Sequence, residues 1–271
     1  MSMIRHPAVA GRFYPLAADT LASDVQSYLS PSTKARPAIG CIAPHAGYMY
    51  SGAVAGAVFA AIEVPDRCLV LCPNHTGMGA PLSIMSDGAW ETPLGAISID
   101  THFACALKKQ FPRLSEDTAA HHSEHAIEVE LPFLQTRNPH LTFVPIALGT
   151  GQFEVLHGLG EAVAVAAAVQ AQRGPVLIVA SSDMNHYESD RITRVKDHMA
   201  IERILALDPA GLFDIVMKED ISMCGFGPAV VMLTAAKKLG AKSAELIKYA
   251  TSGDVSGDRD QVVGYAGVVV R

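Results

Sequence analysis

The sequence predicts an α/β fold, specifically a single-domain α/β sandwich with a largely parallel central sheet that spans residues 1–271. Short apolar runs alternate with helical patterns along the whole chain, as expected when helices cover both faces of a sheet. Two of the runs, at 38–43 and 68–72, are apolar on both faces, which is typical of buried parallel strands. We find no linker that would divide the chain, so we expect one domain.

Each predicted element follows from a local pattern. In chain order we predict a helix over 19–29, a strand over 38–43, a helix over 51–62, strands over 68–72, 82–85 and 96–99, helices over 101–111 and 126–135, a strand over 141–148, a helix over 153–172, a strand over 176–180, helices over 190–207, 209–218 and 228–239, and strands over 244–249 and 262–270. In the first helix, for example, Leu21, Val25 and Leu29 recur at helical spacing. The strands over 82–85 and 96–99, on either side of Trp90, are predicted to form a hairpin or a pair of short strands. The remaining segments are predicted to be an extended arm (1–18), a polar linker (30–37) and loops (115–123 and 251–261).

Composition excludes several classes of protein. A net charge of -6, with no cluster of Lys and Arg, argues against nucleic acid as a partner. The amino terminus lacks the apolar core of a signal peptide, and no apolar run is long enough to predict a membrane span. The 5 cysteines contain no CxxC pair, so we expect free thiols and a cytoplasmic location.

Two histidines follow the ends of two predicted buried strands. Each strand stops at a proline. His45 directly follows Pro44, and His75 comes two residues after Pro73. In open α/β sheets, ligands bind at the carboxyl ends of the strands. If the two strands are neighbours, roughly 5 Å apart, the imidazoles could share a metal ion. The alternative is a pair of loop histidines that only bind backbone groups.

A third, anionic ligand would complete a site for a divalent transition metal. Two histidines with a carboxylate are the non-haem Fe(II) arrangement, whereas the thiolate of Cys224 would favour zinc or copper and still accept iron. Cys224 precedes a predicted helix, whose amide groups we expect to lower the thiol pKa and favour the thiolate. The alternative is a structural thiol.

Three further residues are predicted to carry acid–base chemistry. His125 and Glu124, at the start of a predicted helix, are suited to acid–base catalysis or to orienting a metal ligand. Asp183 and His186 follow a buried strand and could act as a carboxylate–histidine pair, unless Asp183 only caps a helix and His186 lies at the surface. HExxH and GxSxG motifs are absent, which argues against a zincin and a serine hydrolase.

The motifs that contain these residues resemble those of the Memo family, whose bacterial and archaeal members are also called AmmeMemoRadiSam system protein B. In chain order they are Ala43-Pro44-His45-Ala46-Gly47-Tyr48, Pro73-Asn74-His75, Thr92-Pro93-Leu94, Glu124-His125-Ala126-Ile127-Glu128, Leu131-Pro132-Phe133, Ser181-Ser182-Asp183 with His186, Cys224-Gly225 and Gly264-Tyr265-Ala266-Gly267. The matches run in order along nearly the whole chain.

The resemblance implies a fold similar to class III extradiol dioxygenases, which use Fe(II) to open catechol rings. It also implies that His45, His75 and Cys224 line the metal site, with Asp183 and His186 nearby, and that a radical-SAM enzyme is a functional partner. We therefore expect an Fe(II)-dependent oxidoreductase acting on a small aromatic or chelating substrate, with zinc or copper as alternative metals. The alternatives are a non-catalytic protein that binds metal or a phosphopeptide, and a metal-assisted hydrolase.

Overall fold

The computed structural model describes residues 3–29 and 34–271. It confirms the predicted α/β fold class, with a large mixed sheet covered by helices. Residues 30–33 of the predicted linker, and the first two residues of the predicted arm, lie outside the described residues. Within the described part of the chain, no helix combines the length and the apolar character needed to cross a membrane.

Strands and helices alternate along most of the chain. The strands are β1 (Ile4–Arg5), β2 (Gly40–Ala43), β3 (Arg67–Pro73), β4 (Leu82–Ile84), β5 (Ala89–Thr92), β6 (Gly95–Ser98), β7 (Ser115–Glu116), β8 (Thr142–Leu148), β9 (Leu177–Ser181), β10 (His186–Glu188), β11 (Ala244–Thr251) and β12 (Val262–Val270). The helices are α1 (Ala18–Tyr28), α2 (Tyr48–Ala60), α3 (Thr101–Gln110), α4 (Ala119–His122), α5 (Leu131–Arg137), α6 (Phe153–Val169), α7 (Asp190–Leu205), α8 (Pro209–Lys218), α9 (Phe226–Lys238) and α10 (Gly253–Ser256).

Four parallel strands form the centre of the large sheet, in the order β2, β9, β3 and β8. The strands on either side of them, β12 and β4, are antiparallel to their central neighbours. The strands that precede His45 and His75, β2 and β3, are not adjacent, because β9 lies between them and pairs with both. The condition of neighbouring strands, on which the sharing of a metal ion was argued, is therefore not met. All three strands still point the same way, so the chain segments that follow them meet at one edge.

Helices pack against both faces of the large sheet. The side chains of β2, β3 and β9 alternate between the two faces, as the period of a strand requires. Ile42, Leu71 and Ile178 belong to a core shared with α3, α6, α8 and α9, whereas Cys41 and Val70 belong to a core shared with α1, α2 and α5. This arrangement is the predicted sandwich.

Three local predictions differ from the structure. The helix predicted over 126–135 begins only at Leu131, where Pro132 occupies the first turn, and residues 126–130 form turns instead. The predicted loop over 115–123 contains β7 and α4, and the predicted loop over 251–261 contains α10. The predicted runs at 82–85 and 96–99 are two separate short strands and do not form a hairpin with each other. β4 belongs to the large sheet, and β6 pairs instead with β5, which contains Trp90.

The amino-terminal arm is fixed by a buried ion pair between Arg5 and Glu128. The Glu128 carboxylate also accepts hydrogen bonds from the Ala8 and Val9 amides, at 2.8 and 3.0 Å, and from the Tyr14 hydroxyl, at 2.6 Å. Because Glu128 lies in the turn segment 126–130, these contacts fasten the arm to the segment that follows His125. The arm therefore forms part of the wall beside that residue.

The buried side chain of His121 makes the free energy of unfolding depend on pH. The His121 side chain is fully buried against Trp90, with ring centroids 5.7 Å apart. Burial, with the charge of Arg5 adding to it, lowers the pKa of His121 to about 4. In the unfolded chain this histidine binds a proton below a pH of about 6.5, whereas in the folded chain it binds one only below a pH of about 4. Acid therefore favours the unfolded chain between these two pH values.

We expect His121→Gln to remove this source of acid instability. Relative to the variant, the wild type should lose about 3 kcal/mol of unfolding free energy between pH 7 and pH 4, because each pKa unit corresponds to ~1.4 kcal/mol. Urea unfolding of both proteins at several pH values measures the difference. His122→Gln, which changes the exposed neighbour, is the control. A difference that is constant with pH would contradict the prediction.

Candidate metal centre

Three histidines converge at the carboxyl edge of the central sheet. His45 follows β2, His75 follows β3, and His125 directly precedes the turn segment 126–130 that leads to α5. One potential ligand atom from each side chain lies within 4.8 Å of those of the other two, so the three imidazoles could hold a single metal ion. The ring centroids are 5.2 Å apart for His45 and His75, 5.5 Å for His45 and His125, and 4.8 Å for His75 and His125.

His45 is buried, and its ring is oriented by the end of β9. Its Nδ1 lies 2.8 Å from Ser181 Oγ, whose own hydroxyl can donate to the Ala126 carbonyl or to Glu130 Oε1, both at 2.8 Å. This chain of contacts favours a proton on Nδ1, which leaves the Nε2 electron pair free for a ligand. Burial and the neighbouring histidines, His75 first, lower the pKa of His45 well below its ordinary value, so the ring is neutral at pH 7.

His75 is oriented by the buried carboxylate of Glu124. Glu124 Oε1 lies 2.9 Å from His75 Nδ1, and Oε2 accepts the His75 backbone amide at 2.6 Å. Burial acts to lower the pKa of His75, but the hydrogen bond and charge of Glu124 outweigh it and raise that pKa. A carboxylate on Nδ1 fixes the ring and strengthens Nε2 as a metal ligand. The expectation that Glu124 orients a ligand agrees with this geometry, although the ligand concerned is His75.

We expect Glu124→Gln to weaken metal binding about 10- to 100-fold, because the amide cannot supply the negative charge that polarises His75. Calorimetric titration of the metal-free protein with Fe(II) under nitrogen measures the affinity. Glu63→Gln, at a mostly exposed carboxylate between α2 and β3, is the matched control and should leave the affinity unchanged. An unaltered affinity in Glu124→Gln would show that His75 does not depend on this carboxylate.

His125 packs between the arm and the other two imidazoles. Its ring lies 4.8 Å from the Phe13 ring, and its Nδ1 is 3.4 Å from Glu124 Oε1. Burial lowers the pKa of His125, and the attraction of Glu124 opposes this shift without overcoming it. The predicted acid–base role of His125 remains a prediction, and its position among the three imidazoles makes it a candidate metal ligand as well.

Asp183 is buried beneath His45. Its Oδ1 accepts the His45 backbone amide at 2.9 Å. Burial raises the pKa of Asp183 to about 7, and the hydrogen bonds from the His45 and Ala46 amides moderate the shift. The carboxyl group is therefore balanced between its two protonation states near neutral pH, which suits an acid–base catalyst.

His186 lies at the start of β10 and is held by the neighbouring loop. Its backbone amide donates to Ser222 Oγ at 2.7 Å, and its Nδ1 lies 2.8 Å from the Ser222 carbonyl oxygen. Nδ1 therefore carries the proton and Nε2 is free. Burial lowers the pKa of His186, so the ring is neutral at pH 7. His186 and Asp183 both line the pocket that contains the three histidines, but no hydrogen bond joins them among the described residues.

Cys224 reaches the same place from the loop before α9. Its Sγ lies 3.3 Å from His45 Nε2 and 3.7 Å from the Asp183 carbonyl oxygen. Gly225 permits this approach, because a Cβ there would collide with Ser182 and with the Ser181 carbonyl oxygen. Cys224 is thus beside His45 but outside the group of three histidines. Its role as a metal ligand remains a prediction.

The prediction of a lowered pKa for Cys224 was wrong. Desolvation of the sulfur, followed by the nearby charge of Asp183, raises the pKa of this thiol well above its ordinary value. The contact with the Gly225 amide at the start of α9 acts in the opposite direction but is weaker. Without a cation beside it the group is a thiol, which can donate to His45 Nε2.

The metal centre opens into a pocket of about 290 Å³. It is lined by Phe13, His45, Ala46, Gly47, His75, His125, Asp183, His186, Tyr187, Val263 and Tyr265. Sequence reasoning assigned no role to the aromatic residues of this list, nor to Ser181 as the partner of His45. Ser181 could have been found as the last residue of a strand that ends at the site. Phe13 carried no such signal, because it lies in a turn of the arm, outside the strands and helices.

The fold and the site define an α/β protein with a candidate metal centre at the carboxyl edge of its sheet. The family model described as Memo-like protein matches residues 5–269. A MEMO1 family protein of Methanopyrus kandleri is 44% identical over 283 residues, with 99% of both chains covered. Relatives of the same description from Pyrobaculum aerophilum and Methanosarcina barkeri are each 42% identical, over 98% and 99% of this chain and 98% and 100% of their own length. The chain therefore belongs to the Memo-like family.

Proposed function

We propose that the protein is a non-haem Fe(II)-dependent oxidoreductase of the dioxygenase-like type, acting on a small aromatic or chelating substrate. The observation that carries the proposal is the group of three histidines whose ligand atoms lie within 4.8 Å of one another. Imidazole suits iron as a ligand, and three imidazoles leave coordination positions open for a substrate and oxygen. A pocket of about 290 Å³ next to the histidines provides room for a small substrate.

The side chains present fit a divalent iron. His45 and His75 direct Nδ1 toward Ser181 and Glu124, so their Nε2 atoms are available as ligands. Two residues are candidates for the third ligand. The sequence predicts Cys224, whereas the distances between the side chains favour His125. Zinc and copper are alternatives, because imidazole and thiolate also bind these metals. When bound, the iron would supply oxygen activation and chelation of substrate oxygens.

The residues of the chain itself would handle the protons. The carboxyl group of Asp183, with a pKa of about 7, can accept a proton from a substrate hydroxyl at neutral pH. The neutral rings of His125 and His186 are further bases, since burial lowers the pKa of both. Phe13 and Val263 form apolar parts of the wall, which limits the access of water to the reacting atoms.

Anaerobic purification without a metal-chelating tag, followed by elemental analysis, tests this proposal. We expect stoichiometric iron, and consumption of O2 when a catechol is added. Iron that is lost in Cys224→Ser but kept in His125→Ala would support the cysteine as third ligand, and the reverse result would support the three histidines. Absence of iron after Fe(II) has been offered, together with no O2 uptake, would overturn the proposal. Ester hydrolysis without O2 uptake would instead indicate a metal-assisted hydrolase.

A second candidate is a non-catalytic protein that binds a phosphopeptide. A groove of about 500 Å³ adjoins the metal pocket and shares Phe13 and Gly47 with it. Arg12 supplies positive charge in this groove, which also contains the carboxylate of Asp24, and Tyr28 and Tyr50 supply aromatic surface. Such a groove favours an elongated ligand over a single small molecule. A labelled phosphopeptide and its unphosphorylated form, titrated into the protein, test this candidate, and equal binding of both would remove it.

The proposal also includes a setting for the reaction. A reducing, cytoplasmic compartment is supported by the 5 free cysteines, of which 3 are buried. A functional link to a radical-SAM enzyme rests on the family resemblance alone. Co-purification of the tagged protein with that enzyme from its native cells tests the link.

A further inference from the structure

Among the described residues, three that are not glycine have a left-handed backbone: Tyr187 (φ 61°), Leu207 (φ 53°) and Asp220 (φ 49°). Leu207 and Asp220 follow the ends of α7 and α8. In both cases the next amide donates to the carbonyl five residues earlier, which is the usual hydrogen bond of a helix that ends in this conformation. Tyr187 lies within β10, so no helix end accounts for its backbone.

A bulge in β10 imposes the unusual conformation on Tyr187. His186 pairs with Val263, whereas Glu188 pairs with Val262, the neighbouring residue of β12. Two adjacent residues of β12 therefore face three residues of β10, and Tyr187 is the extra one. Bulges of this kind change the direction of a side chain and often occur next to active sites.

Both neighbours of Tyr187 are fixed by other contacts. His186 is bound to Ser222 through its amide and its ring, at 2.7 and 2.8 Å. The Glu188 carboxylate accepts hydrogen bonds from Asn185 Nδ2 at 2.7 Å and from Lys196 Nζ at 2.9 Å. The contacts of His186 and Glu188 thus hold Tyr187 in a left-handed backbone conformation, which is unfavourable for a bulky residue. Backbone strain of this kind is concentrated at functional sites.

The Tyr187 side chain is 73% exposed, although it lines the pocket of the metal centre. An exposed aromatic ring gains little stability for the folded protein, so packing does not explain why a tyrosine stands in this strained position. Phe13 provides a second aromatic surface in the same pocket. A planar ring bound at the metal centre would have aromatic side chains within reach to stack on.

We propose that Tyr187 is a specificity residue that stacks on the planar ring of the ligand bound at the metal centre. The inference rests on the proposed function, because it requires a chelating ligand in the pocket. A volume of about 290 Å³ suits a ligand with one ring. Stacking on Tyr187 then distinguishes an aromatic chelator from an acyclic one with the same pair of oxygen donors.

Two chelators, titrated under nitrogen into protein loaded with Fe(II), test the inference. 4-Nitrocatechol carries a planar ring, whereas acetohydroxamate offers two oxygens without a ring. We expect Tyr187→Gly to raise the Kd for 4-nitrocatechol about tenfold and to leave the Kd for acetohydroxamate unchanged. Tyr187→Phe keeps the ring and should retain the affinity of the wild type for both.

A thermal measurement tests the strain independently. Tyr187→Gly should raise the Tm by about 2 to 4 °C, because glycine adopts this φ without steric cost. Asp220→Gly is the matched control, since it relieves a similar φ at an exposed residue outside the pocket. It should raise the Tm and leave both Kd values unchanged.

The outcomes separate this inference from the proposed function. If the wild type binds both chelators and Tyr187→Gly weakens neither, or weakens both equally, the stacking role is wrong while the metal centre stands. If the loaded wild type binds neither chelator, the proposed chelating site and the stacking role are both wrong. Selective loss of 4-nitrocatechol binding is the only result that supports both.

Discussion

Replacement of both His45 and His75 by alanine is expected to abolish metal binding and leave the fold intact. Ser181 and Glu124 hold the Nδ1 atoms of these two imidazoles and so orient both Nε2 atoms toward the site. The double variant leaves only one of the three converging histidines, which is too few ligands to retain the ion. Both replaced histidines follow strand ends and take no part in the two apolar cores. Elemental analysis and titration with Fe(II) measure the loss of metal, and circular dichroism monitors the fold.

A second pair of histidines provides the matched control for this double variant. His102 and His140 are exposed and line a different groove, beside Arg67 and Asp100, at the opposite edge of the sheet. The double variant His102→Ala with His140→Ala should bind as much metal as the wild type. Unchanged metal content in the variant of His45 and His75 would remove both residues from the metal site.

Glu128→Gln is expected to lower the free energy of unfolding by about 3 to 5 kcal/mol. The Arg5 guanidinium is buried, and the amide of glutamine would leave its positive charge without a counter-ion. Arg5 also donates to the His121 and Glu124 carbonyl oxygens, so the loss should spread to the segment that carries His125. Urea unfolding measures the stability, and titration with Fe(II) should show weaker binding.

An exposed contact between the arm and β5 is the control for Glu128. His6 and Glu91 lie 2.7 Å apart, but the His6 side chain is 74% exposed, so water screens the interaction. Glu91→Gln should therefore change the free energy of unfolding by less than about 0.5 kcal/mol. A change of that small size in Glu128→Gln would show that the buried pair does not hold the arm.

Much of the fold could be predicted because it is encoded in local patterns. α8 and β12 have the predicted bounds, since their apolar spacing and their flanking turn residues are continuous in the sequence. The position of His45 and His75 at one edge of the sheet follows in the same way. A proline ends or directly follows each strand, and parallel strands place their carboxyl ends together.

The interior of the site could not be predicted to the same extent. Whether burial or a helix end controls the pKa of Cys224 depends on how closely Asp183 and the surrounding chain enclose the sulfur. β2 and β3 are separated by β9, a strand that comes more than 100 residues later in the chain. Strand order is a property of the chain's path, and local propensity does not determine it.

The sequence by itself determined the fold class, the family resemblance and the residues that end each central strand, because these depend on neighbouring positions. Only the tertiary structure decided which partners those residues have. Glu124 reaches His75 across 49 positions and Ser181 reaches His45 across 136, and the arm places Phe13 against His125. Such contacts arise when distant segments pack together, so the charge, orientation and accessibility of the histidines follow from packing.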